Sequence, residues 1–162
     1  MNTTIVIIYI VIAIVLTVVA IFLITALAGA PFVPTLKTNL DQAFAKLHPL
    51  KSSDLLIDLG SGNGTILEVA AQKNASAIGI ELNPILCLIS KWRFRKNPKI
   101  KSKCCNFYHF KFPDETTVIY AFAVSLHIDP IYRKIQSEAN RLDKTLYFIL
   151  GLENTRCYNY YA

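Results

Sequence analysis

Residues 54–65 read Asp-Leu-Leu-Ile-Asp-Leu-Gly-Ser-Gly-Asn-Gly-Thr, and residues 77–82 read Ala-Ile-Gly-Ile-Glu-Leu. Each segment contains an apolar run that leads to an acid, Asp58 in the first and Glu81 in the second. Between the two acids the chain turns through three glycines and enters a helical pattern. A strand, a glycine-rich turn, a helix and a second strand form a βαβ unit of the kind that binds nucleotides. The rest of the chain is expected to support that unit or to supply its substrate.

The residue types of the turn indicate the kind of ligand. Gly60, Gly62 and Gly64 allow a positive φ and leave space that a Cβ would fill, so a small molecule can lie against the backbone. The N–H groups that open the following helix favour an anion such as a carboxylate. Asp58 can accept hydrogen bonds from a cationic amine, and Glu81 can accept from two ribose hydroxyls, as an acid does here in dinucleotide-binding folds. The turn therefore predicts a nucleoside cofactor that carries both an ammonium and a carboxylate.

Other interpretations of the same turn fit the residues less well. A dehydrogenase fingerprint requires Gly-x-Gly-x-x-Gly/Ala, whereas Thr65 stands at its sixth position. A phosphate-binding P-loop requires Gly-x-x-x-x-Gly-Lys-Ser/Thr, which this turn lacks. A tight turn without a ligand is the remaining alternative.

The first thirty residues form a region of their own. Residues 5–28 contain no charged side chain, and their polar members are Tyr9, Thr17 and Thr25. At ~1.5 Å per residue this segment exceeds the ~30 Å of bilayer hydrocarbon, which predicts one transmembrane helix. A cleaved signal peptide is the alternative, because residues 26–28 read Ala-Leu-Ala, like a cleavage site. The missing basic n-region and the length of the apolar run favour the anchor.

The charge distribution predicts the orientation of that anchor. All charged side chains lie after residue 30, and the formal net charge is +6. No Lys or Arg precedes the helix, whereas Lys37, Lys46 and Lys51 follow it. The positive-inside rule then places the C-terminal body in the cytoplasm, where its positive charge suits an anionic inner leaflet. We expect a single-pass membrane protein with its catalytic domain facing the cytoplasm.

The four cysteines give no sign of a metal site. They show neither a Cys-x-x-Cys pair nor zinc spacing with His, and two of them are neighbours in sequence. We expect no metal and ordinary reduced thiols at Cys87, Cys104, Cys105 and Cys157.

A proline-containing elbow follows the apolar segment. Residues 31–35 read Pro-Phe-Val-Pro-Thr, and Thr35 is expected to cap a helix with an apolar stripe. That stripe, which should pack against the sheet and bring the elbow close to the cofactor, is Leu36, Leu40, Ala43, Phe44 and Leu47.

Elbow, turn and flanking motifs together resemble one family. The Asp-x-Gly-x-Gly-x-Gly of residues 58–64, with Glu81 after it, is similar to motif I and the acidic loop of class I S-adenosylmethionine-dependent methyltransferases. The transmembrane helix, the elbow, Gly-Ile-Glu-Leu-Asn-Pro at 79–84 and Ser-Lys-Trp-Arg-Phe-Arg at 90–95 narrow the resemblance. With these motifs the chain resembles the membrane-anchored protein-lysine N-methyltransferases that modify the adenine nucleotide translocase and the ATP synthase c-subunit, together with their prokaryotic relatives.

This resemblance covers about residues 15–125 and implies fold, cofactor and acceptor. It implies an α/β, Rossmann-like class I methyltransferase sheet, S-adenosyl-L-methionine as methyl donor, and a membrane-protein substrate. Glu81 would hold the ribose, with Leu82 and Asn83 beside it, and Thr35 would close the pocket. Asn63 stands where these relatives more often have Asp, so the side-chain size is kept and one negative charge of the turn is missing. The residues that would line the methionine moiety are Asp58, Gly60, Ser61, Gly62 and Gly64.

The third strand is expected to end at residues 104–107. In the general fold a polar residue here bonds the adenine and an apolar neighbour packs on its face. Asn106 and Phe107 match these two roles, and a structural role for both is the alternative.

Residues 116–122 are expected to form the fourth strand, and the residues at its end indicate the kind of group that is methylated. An Asn/Asp-Pro-Pro-Tyr/Phe motif, typical of enzymes that methylate adenine N6 or glutamine, is absent there. The apolar residues Phe122 and Val124 would favour the neutral form of a lysine amine by desolvation. His127 is the one titratable candidate for a catalytic base near this strand, and a surface or capping role is the alternative.

Asn83 and Pro84 follow the second strand and predict the N-cap and first turn of a helix from Ile85 to about Lys96.

A basic run begins within this helix and continues past it. Seven Lys or Arg residues occur between residues 91 and 103 without an acid, and Trp92 and Phe94 lie among them. Three interpretations stay open: a nucleic-acid surface, which is the least favoured, a solvated helix face with Trp92 in the core, and a membrane-facing patch.

The C-terminal part predicts a small sheet. Asp129 and Pro130 begin a helix whose inner face is Ile131, Ile135, Ala139 and Leu142, and residues 146–150 form the fifth strand. Residues 156–161 can supply one short edge strand, so we expect about five to six strands, a minimal or C-terminally shortened sheet.

The predicted domains are an anchor at 1–30, an elbow and helix at 31–52, and a methyltransferase domain at 53–162. A lipid headgroup or small amine as acceptor, and a non-catalytic cofactor-binding membrane module, are the alternatives to protein-lysine methylation.

Overall fold

The structure is a computed structural model that describes residues 2–27, 44, 48–122, 128–151 and 158–161. The chain divides into two compact units, Met1–Val33 and Pro34–Ala162. The three domains expected from the sequence, with boundaries after residues 30 and 52, stay predictions.

The first unit contains helix α1, which spans Thr3–Leu27. Its segment Thr3–Thr25 is long and apolar enough to cross a membrane, although a signal sequence near the N-terminus would pass the same test. Two threonine hydroxyls along α1 bond to backbone oxygens of the preceding turn. Thr17 Oγ1 donates to Ala13 O at 2.8 Å and Thr25 Oγ1 donates to Ile21 O at 3.0 Å. These hydroxyls are therefore satisfied within the helix, as an apolar environment requires.

The described residues of the second unit form a six-stranded sheet. Its strands are β1 (Leu55–Leu59), β2 (Ser76–Glu81), β3 (Ile100–Cys104), β4 (Val118–Phe122), β5 (Tyr147–Gly151) and β6 (Tyr158–Tyr161). Their order in the sheet is β3-β2-β1-β4-β5-β6. Strands β1 to β5 are parallel, and β6 is antiparallel to β5. This arrangement confirms the predicted α/β sheet and its short C-terminal edge strand.

The described helices of this unit are α2 (Thr65–Gln72), α3 (Pro84–Arg93) and α4 (Ile128–Leu142), together with a 3₁₀ helix at Phe107–His109. Asn83 caps α3 as expected, because its Oδ1 accepts from Ile85 N at 2.9 Å and from Leu86 N at 3.3 Å. Helix α3 was expected to reach about residue 96 but ends at Arg93. Phe94 leaves the helical conformation, with φ −101°, and its ring packs against the core.

Two apolar clusters cover the two faces of the sheet. One contains Leu56, Val118 and Tyr120 from the strands, residues of α2, and the helical residue Phe44, which stacks on Tyr120 with ring centroids 6.0 Å apart. The burial of Phe44 agrees with a helix packed on the sheet, whereas the rest of its predicted stripe lies outside the described residues.

The opposite face carries the second cluster. It contains Ile57, Leu59 and Ile119 from the strands. The predicted inner face of α4 packs on it, with Ile131, Ile135 and Ala139 buried and Leu142 half-buried. The sheet is thus buried on both sides, as a parallel sheet requires.

Candidate cofactor site

The candidate site lies where the parallel strands end. Strand β1 runs into the glycine turn, and β2 ends at Glu81. The strand order changes direction between β1 and β4, and open α/β sheets bind ligands in the crevice at such a point. Asp58 lies here, level with Gly79 of β2 and Tyr120 of β4. The turn and the two acids predicted from the sequence are therefore brought to one edge of the sheet.

Asp58 is a buried carboxylate with an incomplete set of partners. Asp58 is 2% exposed, and its Oδ2 has no hydrogen-bond partner among the residues that the structure describes. Burial raises the pKa of Asp58 well above its ordinary value, and the negative charge of Glu81 raises it further. A buried acceptor without a donor is rare in folded proteins. An ammonium group would supply both the donor and the compensating charge.

The turn itself is held by its own backbone. Gly60 N and Ser61 N both donate to Ile80 O, at 2.9 and 3.0 Å, and Gly64 N donates to Ser61 O at 2.8 Å. Gly62 N donates to Glu81 Oε2 at 2.7 Å. The turn is therefore fixed to β2 without any ligand.

Gly60 and Gly64 serve different purposes. Gly60 has φ +80°, and a Cβ built on it would meet nothing within 4 Å, so open space lies beside it. Gly64 also has a positive φ, but a Cβ there would lie 2.6 Å from Phe94 Cε2 and 2.8 Å from Ser90 Oγ. The space at Gly60 thus fits a ligand, whereas the side of Gly64 that a Cβ would occupy is filled by α3 and the residue after it. The prediction gave the ligand as the reason for both glycines, and for Gly64 packing is the observed reason.

Glu81 links the turn to the start of α3. Besides the bond from Gly62, its Oε1 accepts from Asn83 N at 2.7 Å, and Glu81 and Asn83 are both buried. A carboxylate offers about four acceptor positions, so two remain for ribose hydroxyls. Leu82, between them, is half-buried. The ribose role of Glu81 stays a prediction, and its role in holding the turn is one that the sequence did not reveal.

The two residues predicted to contact adenine follow β3 and are not part of it. The strand ends at Cys104, whereas the prediction carried it to residue 107. Asn106 turns the chain, because its Oδ1 accepts from Tyr108 N at 2.9 Å and so caps the 3₁₀ helix. Asn106 is exposed, and Phe107 is half-buried against the cluster on the α4 face. Contact of either residue with a cofactor stays a prediction.

Thr35 and His127 lie outside the described residues. Their predicted roles, in closing the pocket and as a weak candidate base, are untested. The thiols of Cys87, Cys104 and Cys105 are free, as expected, and Cys157 lies outside the described residues.

Gly79 is a site residue whose role was not predicted from the sequence. A Cβ on Gly79 would lie 2.6 Å from Ser61 Oγ and 2.7 Å from Leu67 Cδ1. Glycine at this point of β2 therefore lets the turn and α2 approach the sheet. A glycine inside an otherwise apolar strand was the available signal, since it marks a close approach of another segment.

Comparison with known proteins supplies the family. A family model described as a methyltransferase domain matches residues 57–145, which is more than half of the chain. The match begins in β1 and ends just before β5, so it contains the turn, Glu81 and the four strands β1 to β4.

Two relatives are similar over part of the chain. The human lysine N-methyltransferase of the ATP synthase c-subunit is 40% identical over 63 residues, which cover 39% of this chain and 26% of that protein. The mouse protein of the same name is 28% identical over 111 residues, which cover 67% of this chain and 44% of that protein. The chain thus spans less than half the length of these relatives.

A solved structure shows the same fold. An RNA methyltransferase from Salinibacter ruber, in complex with S-adenosyl-L-homocysteine, superposes with a TM-score of 0.61 at 20% sequence identity. The superposition covers 73% of this chain and 76% of that one. By sequence and by fold, the chain belongs to the methyltransferase-domain family, within the class I S-adenosylmethionine-dependent methyltransferases.

Proposed function

We propose that this chain is a membrane-anchored methyltransferase that binds S-adenosyl-L-methionine and methylates a lysine amine of a membrane protein. The observations that carry the cofactor part are the buried Oδ2 of Asp58, which has no hydrogen-bond partner among the described residues, and the open space beside Gly60, two residues further along the chain. The 40% identity over 63 residues to a lysine N-methyltransferase supports the choice of acceptor.

Asp58 would bind the ammonium of the cofactor's methionine part. Removing a carboxylate from water without a cation is unfavourable, and the raised pKa of Asp58 is the sign of that cost. A bound ammonium would offset this cost, because it brings a positive charge and hydrogen-bond donors to the buried carboxylate. This gain would be a main source of the affinity for the cofactor. Glu81 would accept from the two ribose hydroxyls through the acceptor positions that Gly62 N and Asn83 N leave open.

When bound, S-adenosylmethionine supplies a methyl group on a sulfonium, already activated for in-line displacement. The chain's own residues then have to align the acceptor, exclude water and keep the acceptor amine neutral. The end of β4 supports the last of these tasks. Ala121 is buried and Phe122 half-buried, and these apolar groups favour the uncharged amine over the ammonium.

The anchor is proposed from α1. At 25 residues and ~1.5 Å per residue, this helix is longer than the ~30 Å of bilayer hydrocarbon. It contains no Asp, Glu, Lys or Arg, and its threonine hydroxyls bond within the helix. The charge asymmetry around it supports a single pass with the catalytic domain on the cytoplasmic side.

The experiment uses the full chain in vesicles that also contain native membrane proteins, with a methyl-labelled cofactor. We expect the label in a lysine of a protein, and we expect Asp58→Asn to abolish it. The matched control is Asp54→Asn, which removes the charge of another buried acid outside the site.

The outcomes separate the alternatives. Label in a lipid headgroup or a small amine would overturn the lysine acceptor and keep the chemistry. Cofactor binding without any transfer of label would indicate a non-catalytic module. A full chain that releases from vesicles on alkaline washing would overturn the anchor.

A further inference from the structure

Helix α3 exposes a large apolar face. Leu88 and Trp92 are each 67% exposed and Ile89 is 46% exposed, whereas Leu86 and Cys87 face the protein. At ~3.6 residues per turn, Leu88 and Trp92 lie one above the other and Ile89 lies beside them. The interpretation that placed Trp92 in the core is therefore wrong. Large apolar side chains that cluster on a surface indicate a contact with something outside the domain.

Basic side chains border this face on one side. Lys91 lies in the last turn of α3, three residues after Leu88, and Arg95 lies in the turn that follows the helix; both are exposed. The guanidinium of Arg95 lies over the Trp92 ring, 4.4 Å from its centroid, and Arg95 Nη1 donates to Trp92 O at 2.8 Å. The basic and apolar groups thus form one continuous surface.

The same basic groups line a cleft between α3 and the edge strand β3. Its volume is about 370 Å³. Four of its lining residues carry a positive charge and none carries a negative charge, the four being Lys91, Arg95, Lys101 and Lys103. A cleft of one sign of charge concentrates anions.

The positive charges of the cleft lack a carboxylate partner among the described residues. In the same basic run, Arg93 pairs with Glu68 at 2.5 Å, and Lys99 Nζ donates to Asn74 O at 2.9 Å. For the four basic residues of the cleft, the described part of the chain contains no ion pair with a carboxylate. Their charge is available to a partner.

We propose that this face of α3 and the adjoining cleft dock on the surface of an anionic bilayer. Leu88, Ile89 and Trp92 would enter the headgroup region, and the cleft would hold lipid phosphates. Tryptophan prefers the interface between water and hydrocarbon, and an amphipathic helix with basic flanks lies in that plane. The inference rests on the anchor part of the proposed function, because a tether raises the local concentration of the bilayer.

Other occupants fit the surface less well. Nucleic acid would use the cations and the Trp92 ring, but Leu88 and Ile89 offer nothing to a base or a phosphate, and Arg95 already covers one side of that ring. A second copy of the chain would bring two basic clefts together. Lysines on β3 also discourage pairing at a sheet edge, but that role does not explain the exposed apolar face of α3.

Trp92 allows a direct test, because it is the only tryptophan of the chain. The full chain is placed in vesicles of phosphatidylcholine alone and of an equimolar mixture with phosphatidylglycerol, in each case with brominated acyl chains. In the anionic vesicles we expect Trp92 emission to shift to the blue and to be quenched by bromine. Salt at about 1 M should reverse both changes, because it shortens the screening length to ~3 Å.

Matched variants identify the groups responsible. Each Lys or Arg near an anionic surface contributes about fivefold to binding, so Lys91→Gln/Arg95→Gln/Lys101→Gln should weaken docking about a hundredfold and abolish the quenching. The control Lys51→Gln/Lys73→Gln/Lys111→Gln removes the same charge from exposed positions outside the cleft and should leave the quenching unchanged.

Three results would overturn the proposal. In the first, Trp92 emission in anionic vesicles stays that of an exposed indole. In the second, both triple variants lose quenching equally. In the third, Trp92 emission responds to single-stranded RNA but not to anionic lipid. Alkaline extraction of the same samples reports on the anchor separately. A chain that resists extraction while Trp92 stays unquenched contradicts only the docking surface, and a chain that is extracted although Trp92 is quenched contradicts only the anchor.

Discussion

Strand β1 carries a buried aspartate near each end, Asp54 just before its first residue and Asp58 just before its last. Their residues are 7% and 2% exposed. Asp54 Oδ2 accepts from Lys51 N at 2.8 Å and lies 3.3 Å from His48 Nε2, and its Oδ1 accepts from Thr117 Oγ1 at 3.0 Å. Asp58, four residues away, has an oxygen without a partner in the described part of the chain.

The difference between these two carboxylates lies in their surroundings, since their residue type, their strand and their burial are alike. At the amino end of β1 the neighbouring segments complete the hydrogen bonds of Asp54, so that end of the sheet is closed by the protein itself. At the carboxyl end the described residues leave Oδ2 of Asp58 without a donor. An acid whose partners the fold supplies is structural, and one that the fold leaves incomplete indicates a place for a ligand.

The largest expected effect is that of Asp58→Asn on cofactor binding. Truncating one side of a buried charge pair costs about 2–5 kcal/mol, so affinity for S-adenosylmethionine should fall at least about thirtyfold. The unliganded protein should become more stable, because a neutral amide is easier to bury than a carboxylate. Titration calorimetry and thermal unfolding measure the two quantities. A lower unfolding temperature together with unchanged affinity would give Asp58 a structural role.

Asp54→Asn should do the reverse. It leaves donors at Lys51 N and Thr117 Oγ1 facing an amide that can replace one oxygen only, so the free energy of unfolding should fall by about 1–3 kcal/mol. Cofactor affinity should stay within twofold of the original. Denaturant unfolding and the same calorimetric titration provide the comparison with Asp58→Asn. An equal loss of affinity in both variants would remove the distinction between the two ends of β1.

Of the two aspartates, only Asp58 should make cofactor binding depend on pH. Its pKa in the free protein lies well above the ordinary 3.8, and a bound ammonium lowers it, so binding releases a proton below that raised pKa. Affinity should then fall by up to about tenfold for each pH unit of acidification, or ~1.4 kcal/mol. Calorimetry in two buffers of different ionisation enthalpy counts the released proton. Asp58→Asn should remove the dependence, and Asp54→Asn should keep it.

The stability of the unliganded fold has the opposite pH dependence to cofactor affinity, because it should rise as the pH falls. Because the pKa of Asp58 is higher in the folded than in the unfolded chain, its protonation stabilises the unliganded fold. This contribution is complete below about pH 3.8 and disappears as the pH rises through the raised pKa. The cofactor should therefore raise the unfolding temperature most at neutral pH.

The smallest expected effect concerns Gly60. Alanine at φ +80° carries strain of about 1 kcal/mol, and its methyl group would enter the open space beside the turn. We expect a small loss of stability together with a loss of cofactor affinity. Asn74→Ala is the control, since Asn74 also has a positive φ, 57°, outside the candidate site. It should lower stability by a similar amount without changing affinity, and a loss of affinity in both would mean that backbone strain alone is responsible.

The features that the sequence predicted well depend on neighbouring residues. Short apolar runs that end in an acid, three close glycines and an Asn-Pro pair specify the strands of the βαβ unit, its turn and the start of α3 through short-range preferences. The parallel order follows from alternating strands and helices. For these reasons the sheet and the two strand-end acids could be predicted from single segments.

The features that were missed depend on residues far apart in the chain. Helix α3 ends early because Phe94 packs near Gly64, 30 residues away, and β3 stops before Asn106 because that side chain bonds the next turn. The exposure of Trp92 depends on which side of α3 meets the sheet. A run of bulky apolar and basic residues fits either choice, because an aromatic next to arginines can be buried or can lie at an interface.

The backbone bonds of the glycine turn also bear on the rate at which cofactor is captured. Since Gly60, Ser61 and Gly62 already donate to Ile80 O and Glu81, little chain entropy is lost when a nucleoside enters. Association should then proceed without a slow ordering step, and affinity should be set mainly by how long the ligand stays. Amide hydrogens of the turn should exchange slowly with solvent deuterium even before any ligand is added.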